Sequence, residues 1–302
     1  MDSDDPKGAR AHFQRARELA PRDPAPQVGL VRAALASLDI PSDFASAPQD
    51  PKLERLLADL DAALRLDANF APGQLERGRI LLMLGRAEPA LACLGQAVRQ
   101  LDTDAEAQAA FGVALLASGH SSEALERFRR SAELDPDNPA RLSNLGTAYM
   151  MQGRLSEAVA AYQRAAQLAP TDPRAQSNLG TAYCAANLPD RALPHLERAV
   201  ELDPERATFL SNLGYAYQLK GDVERAVGLY KKALAKDPKL GSAWINLGTA
   251  QVLKQDYKSA EESFRRALEI DPTDPRAQAN LNDLMELKKK PAAQPTPKAG
   301  GR

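Results

Sequence analysis

Residues 143–149 read SNLGTAY, and the same heptapeptide stands at 177–183; SNLGYAY follows at 211–217 and INLGTAQ at 245–251. The copies are evenly spaced. A constant interval of about 34 residues marks an array of stacked supersecondary units. Downstream of each copy comes a small residue, an aromatic or Leu four on, and another small residue three further, as in Ala158, Tyr162, Ala165 and in Ala226, Tyr230, Ala233. Pro170, Pro204, Pro238 and Pro272 close the units. Upstream the frame extends onto Phe111, Gly112, Ala124, Phe128 and Pro136, and more loosely onto Gly78, Leu81, Ala90, Leu94 and Ala97.

Each unit carries two apolar stripes of helical period separated by a break, which holds Gly85, Gly119, Gly153 or Gly221 in four of the units. Asn138, Asp172 and Asp274 each precede a proline, the pattern of an N-cap followed by Pro in the first turn. Small residues such as Gly146 and Ala158 allow the paired helices to approach closely, with Tyr and Leu filling the space between layers. Such a pair cannot bury its apolar faces alone, so stability comes from stacking on neighbours.

Trp244, Leu247, Gly248, Ala260, Phe264 and Pro272 match the tetratricopeptide repeat signature at its own spacing, and the chain resembles that family over six units from 71 to 274. The resemblance implies an all-α fold, a right-handed α-α superhelix or solenoid of about seven repeats plus an N-terminal half repeat and a C-terminal capping helix. The expected divisions are a half repeat over 1–23, a divergent repeat over 24–70 with a loop insertion near 39–50, six units over 71–274, a capping helix over 275–288 and a disordered basic tail over 289–302. Pro194 falls inside a second helix and predicts a local kink.

Composition sets the functional classes. Apolar residues are 44% and aromatics only 5%, which favours helices over sheets. A formal net charge of -1 removes any whole-chain reason to bind nucleic acid or anionic membrane. The last fifteen residues hold five basic and no acidic side chains, read as a solubilising tail. No apolar run reaches membrane-spanning length and the opening is not a secretory signal, so the expected location is cytoplasmic, with a periplasmic form after loss of a signal sequence as the alternative. Cys93 and Cys184 fall nearly three units apart, too far for a disulfide, and read as small core or groove residues.

The same survey points away from an enzyme. His12, His120 and His195 lie in three different units with no partner at metal-ligand spacing, and no HExxH, CxxC, GxSxG, P-loop or dinucleotide fingerprint occurs. Acidic residues are assigned to caps, turns and solvated faces. No catalytic residue, metal or cofactor is expected, and neither a nucleic-acid partner nor a small-molecule ligand.

Asn144, Asn178, Asn212, Asn246 and Asn280 recur at the same period in the middle of each first helix. The resemblance places first helices along a concave groove. There an asparagine ladder is the hydrogen-bonding complement of a peptide backbone. Ser143, Thr147, Met151, Ser177, Thr181, Cys184, Ser211, Gln218, Ile245, Thr249 and Val252 are placed on the same face. Tyr215 is the one aromatic expected there and Met150 an adaptable apolar contact. No pair of units supplies the lysines and arginines of a carboxylate clamp. The resulting expectation is a protein-binding adaptor or scaffold that holds an extended peptide segment in its groove. The alternatives are a structural subunit of a cell-envelope assembly, such as a pilus or secretion apparatus, contacting partners by its convex face or ends, and a regulatory array of an enzyme encoded elsewhere.

Overall fold

The computed structural model describes residues 6–38, 40 and 45–289, so the tail over 290–302 and the positions 41–44 of the insertion lie outside the described residues. The described elements are all α-helices, in two compact units, residues 1–168 and residues 169–302. Unit 1 holds α1 (Pro6–Leu19), α2 (Pro24–Ala36), α3 (Pro51–Leu64), α4 (Ala71–Met83), α5 (Ala87–Gln100), α6 (Ala105–Ala117), α7 (Ser121–Leu134), α8 (Pro139–Met151) and α9 (Leu155–Leu168). Unit 2 holds α10 (Pro173–Ala185), α11 (Pro189–Leu202), α12 (Ala207–Leu219), α13 (Val223–Lys236), α14 (Gly241–Leu253), α15 (Tyr257–Ile270) and α16 (Pro275–Lys289).

From α4 onward each unit repeats one local construction. First helices of 13 residues and second helices of 14 alternate, up to the longer α16. The turn between them places one residue in the left-handed region: Gly85, Gly119, Gly153 and Gly221 at φ 70° to 90°, and Asn187 and Gln255 at 56° and 61°. Two non-glycine residues thus accept a conformation that glycine takes freely. Asp23, Asp50, Asn138 and Asp172 cap the helices that begin at the following proline, each accepting a hydrogen bond from a first-turn N–H. Asp274 does the same for α16, accepting from Arg276 N at 2.8 Å.

Helix pairs close on a ring or Leu laid against a glycine. A Cβ added to Gly112, Gly146, Gly214 or Gly248 would stand 2.5 to 2.8 Å from Phe128, Tyr162, Tyr230 or Phe264, and Leu94 and Leu196 fill the same place over Gly78 and Gly180. The partner follows its glycine at the same sequence separation in all six pairs. Between pairs, one side chain of the first helix donates back to a carbonyl six residues earlier. Trp244 Nε1 reaches Pro238 O at 2.9 Å, and Gln74, Gln108 and Gln176 make the same bond with their amides to Ala68, Asp102 and Pro170. Glutamine therefore replaces the signature tryptophan as a donor without replacing its bulk.

The N-terminal end of unit 1 is built differently. Phe13 of α1 lies against Gly29 of α2, so here the ring precedes its glycine in the chain. The insertion between α2 and α3 is tied to α4: Ala45 N donates to Leu82 O at 2.8 Å and Ala47 N to Met83 O at 3.1 Å. Leu82 and Met83 are buried accordingly. In unit 2, Pro194 sits inside α11, which spans Pro189 to Leu202 as one helix.

Candidate functional site

Unit 2 brings α10, α12, α14 and α16 side by side as successive first helices. Asn178, Asn212, Asn246 and Asn280 are all half-buried along them. Asn212 Nδ2 donates to Ser177 Oγ at 3.2 Å, which places its amide on the seam between α12 and α10. Among the described residues the amides of Asn178, Asn246 and Asn280 make no hydrogen bond. Three residues beyond Asn212, Tyr215 is 38% exposed, and Leu253 at the end of α14 is 58% exposed. Tyr230, whose hydroxyl is held in its neutral form by burial, donates to Gln218 Oε1 at 2.9 Å.

Several residues placed on this face lie beneath it. Ser177, Ser211 and Ile245 are buried, because the position before each asparagine turns into the seam between adjacent first helices. Cys184, further along α10, is buried as well. Burial also raises the Cys184 thiol to about 11, which removes it as a nucleophile at neutral pH.

Unit 1 carries Asn144 half-buried on α8 in the same register. Met150 is half-buried and Met151 is 58% exposed, so Met151 presents more apolar surface to solvent. Earlier in the unit the asparagine position is taken by Ala110 on α6 and Glu76 on α4. Glu76 is 1% exposed, which corrects the assignment of every acidic residue to a cap, turn or solvated face. Its carboxylate accepts from Arg32 Nε at 2.8 Å and Arg79 Nη1 at 3.1 Å. Arg79 Nε continues to Glu106 at 3.3 Å, and Arg141 donates to the same Glu106. Burial works to raise the Glu106 carboxyl, yet Arg79 and Arg141 together hold it below the usual range. Inside the unit, the two guanidinium groups of Arg32 and Arg79 replace the hydration that the Glu76 side chain loses on burial.

A cleft of about 690 Å³ in unit 2 lies against α11, α12 and α13. All its charges but Glu224 are satisfied within the lining: Lys220 with Asp190 at 2.7 Å, Arg225 with Asp222 at 3.1 Å, and Tyr217 donating to Glu197 at 2.8 Å. The next repeat reproduces one of these pairs, as Lys254 with Glu224 at 3.1 Å, a signal readable in the sequence and not used there. No cluster of three metal-ligating side chains occurs among the described residues, and none of their helices is long and apolar enough to cross a membrane.

Family models for the tetratricopeptide repeat match residues 109–173, 177–241 and 218–284. The chain is a tetratricopeptide repeat protein. Members of this family are in general non-catalytic scaffolds for protein-protein interaction, the class of function that the fold supports here. No curated protein matches this repeat protein by sequence. Among solved structures it is similar to a chain of the APC/C hetero-tetramer Cut9-Hcn1, with TM-score 0.70 and 17% identity over 91% of this chain and 52% of that one, so it spans about half of that chain's length. It is also similar to a tetratricopeptide repeat protein from Parabacteroides merdae ATCC 43184, with TM-score 0.66 and 14% identity over 77% and 92% of the two chains. PilF of Pseudomonas aeruginosa follows, with TM-score 0.57 and 20% identity over 72% and 98%. These likenesses describe the fold.

Proposed function

We propose that this tetratricopeptide repeat protein is a non-catalytic adaptor that holds an extended segment of a partner protein on the first-helix face of unit 2. The observation that carries the reading is the row of half-buried amides at Asn178, Asn212, Asn246 and Asn280, each able to offer one acceptor and two donors. First helices packed at about 8 to 10 Å meet an extended chain rising ~3.3 Å per residue roughly once every three residues. At ~0.5 to 1.5 kcal/mol net for each bond, four amides contribute roughly 2 to 6 kcal/mol, which sits near or below the cost of association. Side-chain contact is therefore required, and Tyr215 is the group on this face best suited to it. Asn144 and Met150, in the same register of unit 1, belong to the same proposal as a patch of that unit. A structural role in a pilus or secretion assembly gains no support from the likeness to PilF, which concerns the fold alone.

The test begins with 12-residue peptides selected on the full chain from a random displayed library. Tyr215 is then replaced by photoreactive benzoylphenylalanine and, in a second protein, so is the exposed Lys231 of α13. The reading predicts crosslinks from position 215 and none from 231. Crosslinks from 231 alone contradict it.

A further inference from the structure

We infer that the segment held on the first-helix face of unit 2 is internal to its own chain and uncharged over most of its length, with one lysine or arginine about five or six residues from an apolar side chain seated on Tyr215. The inference rests on the proposed function and narrows its ligand.

The charge pattern of the face carries it. On α10, α12 and α14 the asparagine and the residues three and six places after it include no charged side chain. On α16 the same places hold Asp283 and Glu286, both exposed. Glu286 is paired with Lys289 at 2.7 Å, whereas Asp283 makes no ion pair among the described residues. One end of the face thus presents a solvated carboxylate and the rest is neutral. A charged side chain laid over α12 or α14 would lose hydration and gain no partner, while a cation over α16 meets Asp283.

A terminal carboxylate finds no counterpart on this face. Recognition of such a group draws on cationic donors. Of the arginines at the starts of α10 and α16, Arg276 pairs with Asp274 at 2.9 Å and Arg174 is likewise engaged. The occupant is accordingly an internal segment.

Spacing sets the motif. Tyr215 stands on α12 and Asp283 on α16, two first-helix steps away. Two steps of about 8 to 10 Å equal roughly five or six residues of extended chain at ~3.3 Å each. Leu253, exposed on the intervening α14, supplies apolar surface along the same edge.

The probes are synthetic 14-residue peptides of Thr, Gln and Ala, acetylated and amidated, with one Leu and one Lys separated by five residues, made in both orders. Companions replace the lysine by glutamate, or leave the C-terminus as a free carboxylate. Binding to the full chain is followed by fluorescence anisotropy. In at least one order the lysine peptide is expected to bind ten times more tightly than the glutamate peptide. Asp283→Lys, with its helix content checked by circular dichroism, reverses that preference, and the free carboxylate gives no advantage. Equal binding of lysine and glutamate peptides, an unreversed preference, or a requirement for the free carboxylate would overturn the inference. The same peptides on Asn178→Ala/Asn212→Ala separate the two levels: if that variant weakens binding while lysine and glutamate peptides bind alike, the charge motif falls and the groove stands. Failure of every peptide to bind the wild type overturns both.

Discussion

The Tyr230 ring lies so close to Gly214 that a Cβ on that glycine would stand 2.8 Å from it. Tyr230 is itself fully buried and its hydroxyl is anchored on Gln218, so the ring cannot withdraw without breaking that bond. Gly214→Ala is therefore expected to cost about 1 to 3 kcal/mol through overpacking. Gly228, an exposed glycine inside α13 with open space around its α-carbon, is the matched control. Gly228→Ala is expected to stabilise by about 0.5 to 1 kcal/mol. Urea unfolding of both variants checks the pair, and equal effects would refute the close approach.

The left-handed turn positions give a second prediction. Gly221 has φ 90° and open space where a methyl group would stand, so Gly221→Ala introduces backbone strain without a clash. The expected loss is about 1 kcal/mol. Gln255 occupies the equivalent place in the next repeat at φ 61°, and Gln255→Gly is expected to leave stability unchanged or raise it. Thermal melts followed by circular dichroism measure both.

The repeat frame was legible because its contacts are local. The ring or Leu over each of the six periodic glycines follows it on the very next helix, and the caps and left-handed turns depend on neighbours in sequence. Depth was not legible. Ser177, Ser211 and Ile245 lie on the predicted helix face yet are buried, since accessibility depends on how closely two first helices approach across the seam. The Phe13 contact with Gly29 reverses the order of the six periodic pairs, so the frame does not predict it. Glu76 reads as a surface carboxylate until Arg32, far earlier in the chain, is placed beside it.

That carboxylate yields a third prediction. Glu76→Ala leaves Arg79 and Arg32 without their shared partner. Loss of one member of a fully buried pair costs about 3 to 5 kcal/mol; Arg32 is more than half exposed here, and a value of about 2 kcal/mol is expected. Chemical unfolding of the variant measures it, and a change below about 0.5 kcal/mol, the level of ordinary surface substitutions, would show that the arginines reach water instead.

Glu106 connects this network to pH. Its carboxyl is held below the ordinary value of 4.5 in the folded chain, so the unfolded chain takes up its proton first as the pH falls. The resulting stability is present above that value and is lost as pH falls through the folded one. Glu106→Gln is expected to flatten the stability profile below pH 4.5 relative to wild type. A variant with the same acid slope as wild type would contradict the assignment.

In the proposed function the amides of unit 2 grip a peptide backbone. Calorimetry of a library-selected 12-residue peptide against wild type and Asn178→Ala/Asn212→Ala tests it most directly. Alanine is the better helix former, so the double variant keeps its helix content. The expected result is binding weakened about tenfold or more, a loss of at least ~1.4 kcal/mol. Equal affinity in a folded double variant would contradict it.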